Sequence, residues 1–128
     1  MKLGSMPETT PLSLSASHRE LLDQVLDKWS LHVMSELCES PKRFNDLRRA
    51  IPQVSQKSLT NTLRRLERNG VIGRHIVSSR PIAIQYRITA LGKSMRDPID
   101  AILQWAVDNM EQIVQARDTF DDMETLPR

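Results

Sequence analysis

The amino-acid sequence predicts a mainly α (α+β) fold: a winged helix-turn-helix with a β-hairpin wing and helices at both ends. Three observations predict it. Two short helical patterns, separated by Ile51-Pro52-Gln53-Val54, occupy residues 43–69. An alternating two-strand pattern follows them at once, over residues 71–88. From Ile99 to Val114 apolar residues then recur at helical spacing.

Each element has its own signal. Residues 18–26 place Leu21, Leu22, Val25 and Leu26 on one helical face, and residues 29–38 repeat the pattern with Trp29, Val33, Met34 and Leu37. Two short helices, or one bent helix, satisfy it. Ser40-Pro41 stops this unit, because proline pushes the preceding residue out of helical geometry. A third helix opens near Lys42, carries Phe44, Leu47 and Ile51 on its apolar side and ends at Pro52. Ser55 stands as the N-cap of a fourth helix, with Val54 and Leu59 at the spacing of a hydrophobic staple. That helix runs to Asn69-Gly70, where glycine takes the left-handed conformation that closes a helix. Leu59, Leu63 and Leu66 share one side of it; at about 100° per residue, Lys57, Asn61, Arg64 and Arg68 fall opposite, with Thr60 beside them.

In the wing, Ile82, Ile84, Tyr86 and Ile88 alternate with Ala83, Gln85 and Arg87, the pattern of a half-buried strand. Its partner covers residues 71–77, and Ser78-Ser79-Arg80-Pro81 supplies the turn. Thr89 caps a helix containing Leu91 and Met95, which Pro98 kinks or restarts after an Asp97 cap. The final stripe comprises Ile99, Ile102, Leu103, Ala106, Met110, Ile113 and Val114, more apolar surface than so small a domain needs internally. Residues 1–14 have no period and read as a disordered tail, with Met1-Lys-Leu-Gly-Ser an added leader and Met6 the natural start. Residues 15–117 form the domain, and residues 118–128 read as an acidic, frayed tail.

A chain of 128 residues with 39% hydrophobic and 27% charged content fits one globular domain, and no apolar run is long enough to cross a bilayer. The single cysteine, Cys38, excludes an internal disulfide, and no secretory signal opens the chain; the location expected is cytoplasmic. Charge is the informative quantity. Ten Lys/Arg lie between Pro41 and Arg80 against two acids, Asp46 and Glu67, a local excess of eight in a chain whose net charge is only +2. The remaining segments therefore sum to −6, and such segregation points to a polyanionic partner, double-stranded DNA.

An α-helix fits the major groove, where exposed side chains near its N-terminus reach base edges. Gln56, Lys57, Thr60, Asn61 and Arg64 supply donors and acceptors there, with Ser55 and Ser58 at the helix start joining the DNA-binding set. Lys42 and Arg43 sit at the third helix's N-terminus for phosphate, and Arg80 at the wing tip for phosphate or an adjacent minor groove. A winged helix that binds protein rather than DNA is the rival reading.

Several motifs carry a resemblance: Lys28-Trp29, Pro41-Lys42-Arg43-Phe44-Asn45-Asp46-Leu47-Arg48-Arg49-Ala50-Ile51-Pro52, Ser55-Gln56-Lys57-Ser58-Leu59-Thr60, Leu63-Arg64-Arg65-Leu66-Glu67, Gly70-Val71-Ile72 and Tyr86-Arg87-Ile88-Thr89-Ala90-Leu91-Gly92. Over residues 28–105 the chain closely resembles the HxlR family of bacterial winged-helix transcription regulators. The resemblance implies residues 55–69 as recognition helix, a palindromic operator, and a homodimer joined through the first and last helices. Leu22, Leu26, Ile99, Ile102, Leu103, Ala106, Met110 and Ile113 would form that interface. A regulator, most simply a repressor, is the function implied. Ala16 stands where many members carry a sensor cysteine, so sensing through that thiol is not implied. Leu26-Asp27 replaces the usual Gly-Gly before Lys-Trp, and the wing tip lacks the family's common acid.

The other candidates read blandly. Cys38, between Glu36 and Glu39, is a structural thiol rather than a thiolate. His18, His32 and His75 have no metal-ligand spacing, and His32 reads as a partly buried helix residue. Trp29 and Trp105 are candidates to line a small-molecule effector pocket, although core or dimer interface is their ordinary use. No catalytic constellation, cofactor motif or phosphate-cradling glycine loop is present, so neither an enzyme nor a cofactor is expected.

Overall fold

The computed structural model describes residues 13–125. Its elements are α1 (Ala16–Val25), α2 (Lys28–Glu39), α3 (Phe44–Ala50), α4 (Gln56–Arg68), β1 (Ile72–Ser79), β2 (Ile82–Ile88), α5 (Ala90–Lys93) and α6 (Arg96–Glu124). They fall into two compact units, one ending at Gly92 and the other beginning at Lys93. Of the expected N-terminal tail, residues 1–12 lie outside the described residues.

α1 begins earlier than its apolar pattern because Ser15 and His18 cap it reciprocally. The His18 amide donates to Ser15 Oγ (3.3 Å) and the Ser15 amide to His18 Nδ1 (3.2 Å). The chain then breaks into two helices rather than one bent one. Asp27 takes an extended conformation and its carboxylate accepts from the Trp29 and Ser30 amides, each at 3.0 Å, starting α2 afresh. α3 ends at Ala50; Val54 closes the turn by donating to the Ile51 carbonyl (3.1 Å), and Ser55 caps α4 by accepting from the Ser58 amide (3.0 Å).

α4 packs against α1, α2 and β1. The core gathers one face of each of the first four helices: Val25, Val33, Met34, Leu37, Leu47, Ile51, Leu59, Leu63 and Leu66, with Val54, Val71 and Ile72 closing it. Removing such side chains from water is the main stabilising term. Two polar residues share the interior, Ser30 and Thr62, and no buried side-chain polar atom lacks a partner among the described residues.

The wing is an antiparallel pair in which Ile72 faces Ile88, Arg74 faces Tyr86 and Ile76 faces Ile84, followed by a bulge and then Ser79 opposite Ile82. β1 thus continues to Ser79, and the turn shrinks from the expected four residues to Arg80-Pro81, joined by a cis peptide. The alternating residues of β2 are not uniformly half-buried: Ile82 is 70% exposed, because the outer part of a two-stranded hairpin has no third layer to pack on. Gly70 adopts φ +77°, the left-handed end of α4 that the sequence requires. Thr89 caps the short α5, accepting from the Gly92 amide (3.0 Å) while donating to the Gly70 carbonyl (2.7 Å).

α6 begins at Arg96 with Met95 in the capping position, so Asp97 lies inside the first turn rather than at the cap, and Pro98 is tolerated there because first-turn amides have no intrahelical acceptor. The helix then runs 29 residues to Glu124. Residues 118–124, expected to fray, are helical, and residues 126–128 lie outside the described residues. No residue of α6 is buried, and Ile102, Leu103, Met110, Val114 and Phe120 are all exposed.

Gly92 is required by space. A Cβ there would meet the Val71 carbonyl oxygen at 2.1 Å and Ile88 Cγ1 at 2.7 Å. Gly92→Ala should lower stability by about 1–3 kcal/mol, the usual range for overpacking, read as a fall in the melting temperature followed by circular dichroism.

Candidate nucleic-acid interface

The elements that position the basic side chains are α3, the turn after it, α4 and the wing. α4 is strongly amphipathic. Burial of Leu59, Leu63 and Leu66, each at most 2% exposed, fixes its rotation and turns Gln56, Lys57, Thr60, Asn61, Arg64 and Arg68 outward, all exposed. Ser55 is exposed at the cap and Ser58 half-buried beside it. Eight of the ten basic residues between Pro41 and Arg80 are exposed; the two held closer are Lys42 and Arg65.

Lys42 does not begin the third helix, as expected, but precedes it. Its amide donates to the Tyr86 carbonyl (3.0 Å) and its carbonyl accepts from the Tyr86 amide (2.8 Å), so its backbone extends the wing sheet. Its Nζ donates to Ser40 Oγ at 3.0 Å. Arg43 is the N-cap of α3, and its amide donates to the Asp46 carboxylate (3.3 Å). Both amides are therefore engaged within the protein, and any phosphate contact here belongs to the side chains. Asp46, the one acid of α3, also pairs with Arg49.

Arg65 is the basic residue of α4 that serves the fold. Its Nη2 donates to Asp27 Oδ2 and to Thr62 Oγ1, at 3.2 Å and 3.3 Å, tying α4 to the start of α2. The Ser30 hydroxyl is shared between the Gln24 carbonyl (2.7 Å) and Asp27 Oδ2 (2.8 Å), and Asn69 Nδ2 donates to Gln24 Oε1 (2.8 Å). Burial alone would raise the Asp27 carboxyl. The Ser30 amide and hydroxyl and the Arg65 guanidinium outweigh it and hold the group below its ordinary value of 3.8. Sequence reading missed this polar tie. Asp27 ahead of Lys28-Trp29-Ser30 is a legible cap, but its partnership with a residue of α4 is a tertiary fact.

Outside this face, Cys38 is exposed rather than packed in the core as a structural thiol would be, and His32 is exposed rather than partly buried. Trp29 is half-buried in the first unit with Lys28 Nζ 4.8 Å from its ring centroid; Trp105 is 59% exposed on α6. Leu22 and Leu26, both 38% exposed, lie at the end of α1. Among the described residues no cluster of His, Cys, Asp and Glu could hold a metal ion, and no helix is long and apolar enough to cross a membrane.

A recognition-type helix following a short turn and preceding a hairpin invites comparison with known proteins. The model of the HxlR-like helix-turn-helix family matches residues 24–114. The chain belongs to this family. The HTH-type transcriptional regulator YtfH of Escherichia coli K12 is 33% identical over 100 residues, covering 78% of this chain and 79% of the relative. YtcD of Bacillus subtilis 168, also an HTH-type transcriptional regulator, is 30% identical over 103 residues, with 80% of each chain covered. Among solved structures, that of the regulator ytcD superposes with a TM-score of 0.69 at 28% identity, covering 77% of this chain and 99% of the other. The redox regulator HypR in its reduced form gives 0.68 at 26% identity, covering 78% and 99%. The HxlR-like relatives are transcriptional regulators rather than enzymes, and DNA-binding regulation is this chain's role as well. The family match stops at residue 114, inside α6, which continues to Glu124.

The Asp27 tie makes a pH prediction. Because its folded carboxyl titrates below 3.8, its contribution is fully present above that value and is lost as pH falls through the lower, folded one. Asp27→Asn keeps a capping side chain but loses the charge. It should melt below the wild type at neutral pH, with the gap closing as the pH is lowered below 3.8.

Proposed function

We propose that this HxlR-like protein is a repressor that binds a palindromic operator sequence-specifically as a homodimer, in a cytoplasmic setting. One observation carries the reading: the apolar side of α4 is fully buried while its capped N-terminal half presents Gln56, Lys57, Thr60 and Asn61 to solvent, with Arg64 one turn further along the same face, in the middle of the basic segment. Those side chains enter the major groove. Arg64 offers a bidentate fork suited to guanine, and Asn61 or Gln56 the amide that pairs with adenine, each good pair being worth about 1–3 kcal/mol of discrimination. Lys42, Arg43 and the exposed arginines of α3 grip phosphate and set the register. Arg80 leads the wing toward the adjacent minor groove, whose narrow A·T-rich stretches attract arginine.

A second copy supplies the other half-site. The residues it covers are the stripe of α6, with Ile102, Leu103, Ala106 and Met110 exposed and Ile99 and Ile113 half-buried, and, in the first unit, Leu22 and Leu26 of α1; Phe120 prolongs the α6 stripe. Two recognition helices related by a two-fold axis then meet successive major grooves about 34–36 Å apart, which makes the operator a palindrome. Repression follows where such a dimer excludes polymerase from a promoter it overlaps.

The decisive experiment is fluorescence anisotropy with the DNA upstream of the protein's own gene, beside a scrambled duplex, over a salt series. Binding that favours the upstream duplex at physiological salt, with log K falling by about 0.9 per phosphate contact for each log unit of salt, is the expected outcome. Equal binding to both duplexes would reduce the protein to a nonspecific DNA binder, and no binding to either would move it to protein interaction. Leu103→Glu tests the dimer. Like charges brought into an apolar interface should dissociate it in analytical ultracentrifugation and weaken operator binding at least about tenfold, although residue 103 is remote in sequence from the basic face. An unaltered dimer would place the interface elsewhere.

A further inference from the structure

The wing carries an apolar surface that the fold does not use. By the alternation of β2 and its register with β1, Ile72, Arg74 and Ile76 share a face with Ile82, Ile84, Tyr86 and Ile88. Exposure rises steeply along that face, from 2% at Ile72 near the core to 66% at Ile76 and 70% at Ile82 next to the turn. The bulge between Ile76 and Ser78 leaves Val77 without a cross-strand partner, and Val77 is 41% exposed. Surface isoleucines scattered singly need no explanation, but two on one face at the end of a hairpin, with a third exposed β-branched residue beside them, form a patch.

Charge identifies what covers it. Across β1, the turn and β2 there are three arginines, Arg74, Arg80 and Arg87, and no acid. Two such hairpins repel one another, whereas a polyanion is drawn to both. Duplex DNA offers apolar surface beside its phosphates in one place that a hairpin tip reaches: the deoxyribose walls of the minor groove. That groove, about 6 Å wide, is too narrow for a two-stranded ribbon but admits the side chains at its end, and minor-groove proteins use isoleucine and proline there as wedges.

The geometry points to Ile76 and Ile82 as a minor-groove contact, packing from one face of the wing on the sugar wall beside Arg80 and supplying operator affinity that salt does not screen. This rests on the DNA-binding reading of α4 and extends it from the charged residues of the wing to its apolar ones. Phosphate contacts release counterions and apolar contacts do not, so the two kinds of residue leave different signatures in a salt series.

The test measures binding of the dye-labelled upstream duplex over that series for the wild type and three variants. The double substitution Ile76→Thr/Ile82→Thr keeps β-branched residues in exposed strand positions, and circular dichroism checks that the wing survives. Its affinity should fall about tenfold at every salt concentration with the wild-type slope, the effect of losing two partly buried isoleucine contacts. The paired Ile→Val changes should restore most of the affinity. Arg80→Ala should instead lessen the slope, because it removes a cation that displaces counterions from the duplex. Affinity of the threonine variant within about twofold of wild type overturns the proposal, as does a loss confined to low salt. So does a change in self-association by light scattering with duplex binding intact, which would assign the face to a second copy. Failure of the wild type to bind any duplex would instead strike the DNA-binding reading itself.

Discussion

The burial of Leu59, Leu63 and Leu66 is the constraint on which the rest of the structure depends. A helix has one rotational degree of freedom about its own axis, and three leucines in a close-packed core remove it. With the helical repeat at about 100° per residue, the positions of Lys57, Thr60, Asn61, Arg64 and Arg68 then follow, since none can face inward while the leucines do. The Ser55 cap, with Val54 and Leu59 both buried at staple spacing around it, sets where along the axis the helix starts, and hence which of these side chains lie in its first turns. The face proposed to bind DNA is thus built mainly by apolar contacts on its far side.

The polar tie at Asp27 refines what the leucines establish. Hydrophobic packing is non-directional and tolerates small slides; a carboxylate that accepts from two backbone amides of its own helix and from Arg65 of α4 tolerates fewer. It joins the break between α1 and α2 to the helix proposed to read DNA, and the second link, Asn69 to Gln24, joins the end of α4 to α1. The pair is about a third exposed on each side, so its energetic weight is modest and its value lies in geometry.

The wing and α6 follow a different logic. Both expose apolar residues that a self-sufficient monomer would bury, Ile76 and Ile82 on one and Ile102, Leu103, Val107 and Phe120 on the other. Keeping such surface in water is unfavourable in proportion to its area, which makes each a candidate for a contact outside the chain. The difference between them is charge: the wing is purely basic, whereas the far end of α6 carries Asp118, Asp121, Asp122 and Glu124 beside its apolar stripe.

The sequence by itself determined what depends on neighbours along the chain. The N-cap at Ser55, the left-handed close at Gly70, the cap at Thr89 and the two faces of α4 were all legible, because capping, glycine backbone freedom and helical periodicity are local. The family motifs made the fold class readable as well. What only the tertiary structure decided depends on partners distant in sequence or on where a surface ends. Arg65 looks like its neighbours Arg64 and Arg68 until Asp27, far away in the chain, claims it. Lys42 reads as a helix start until Tyr86 pairs with its backbone. Ile82 reads as half-buried, since alternation reports which side of a strand is apolar but not whether anything lies against it. Residues 118–124 read as frayed because acids dominate their composition, yet they continue a helix already nucleated, where propagation adds one hydrogen bond per residue at little entropic cost.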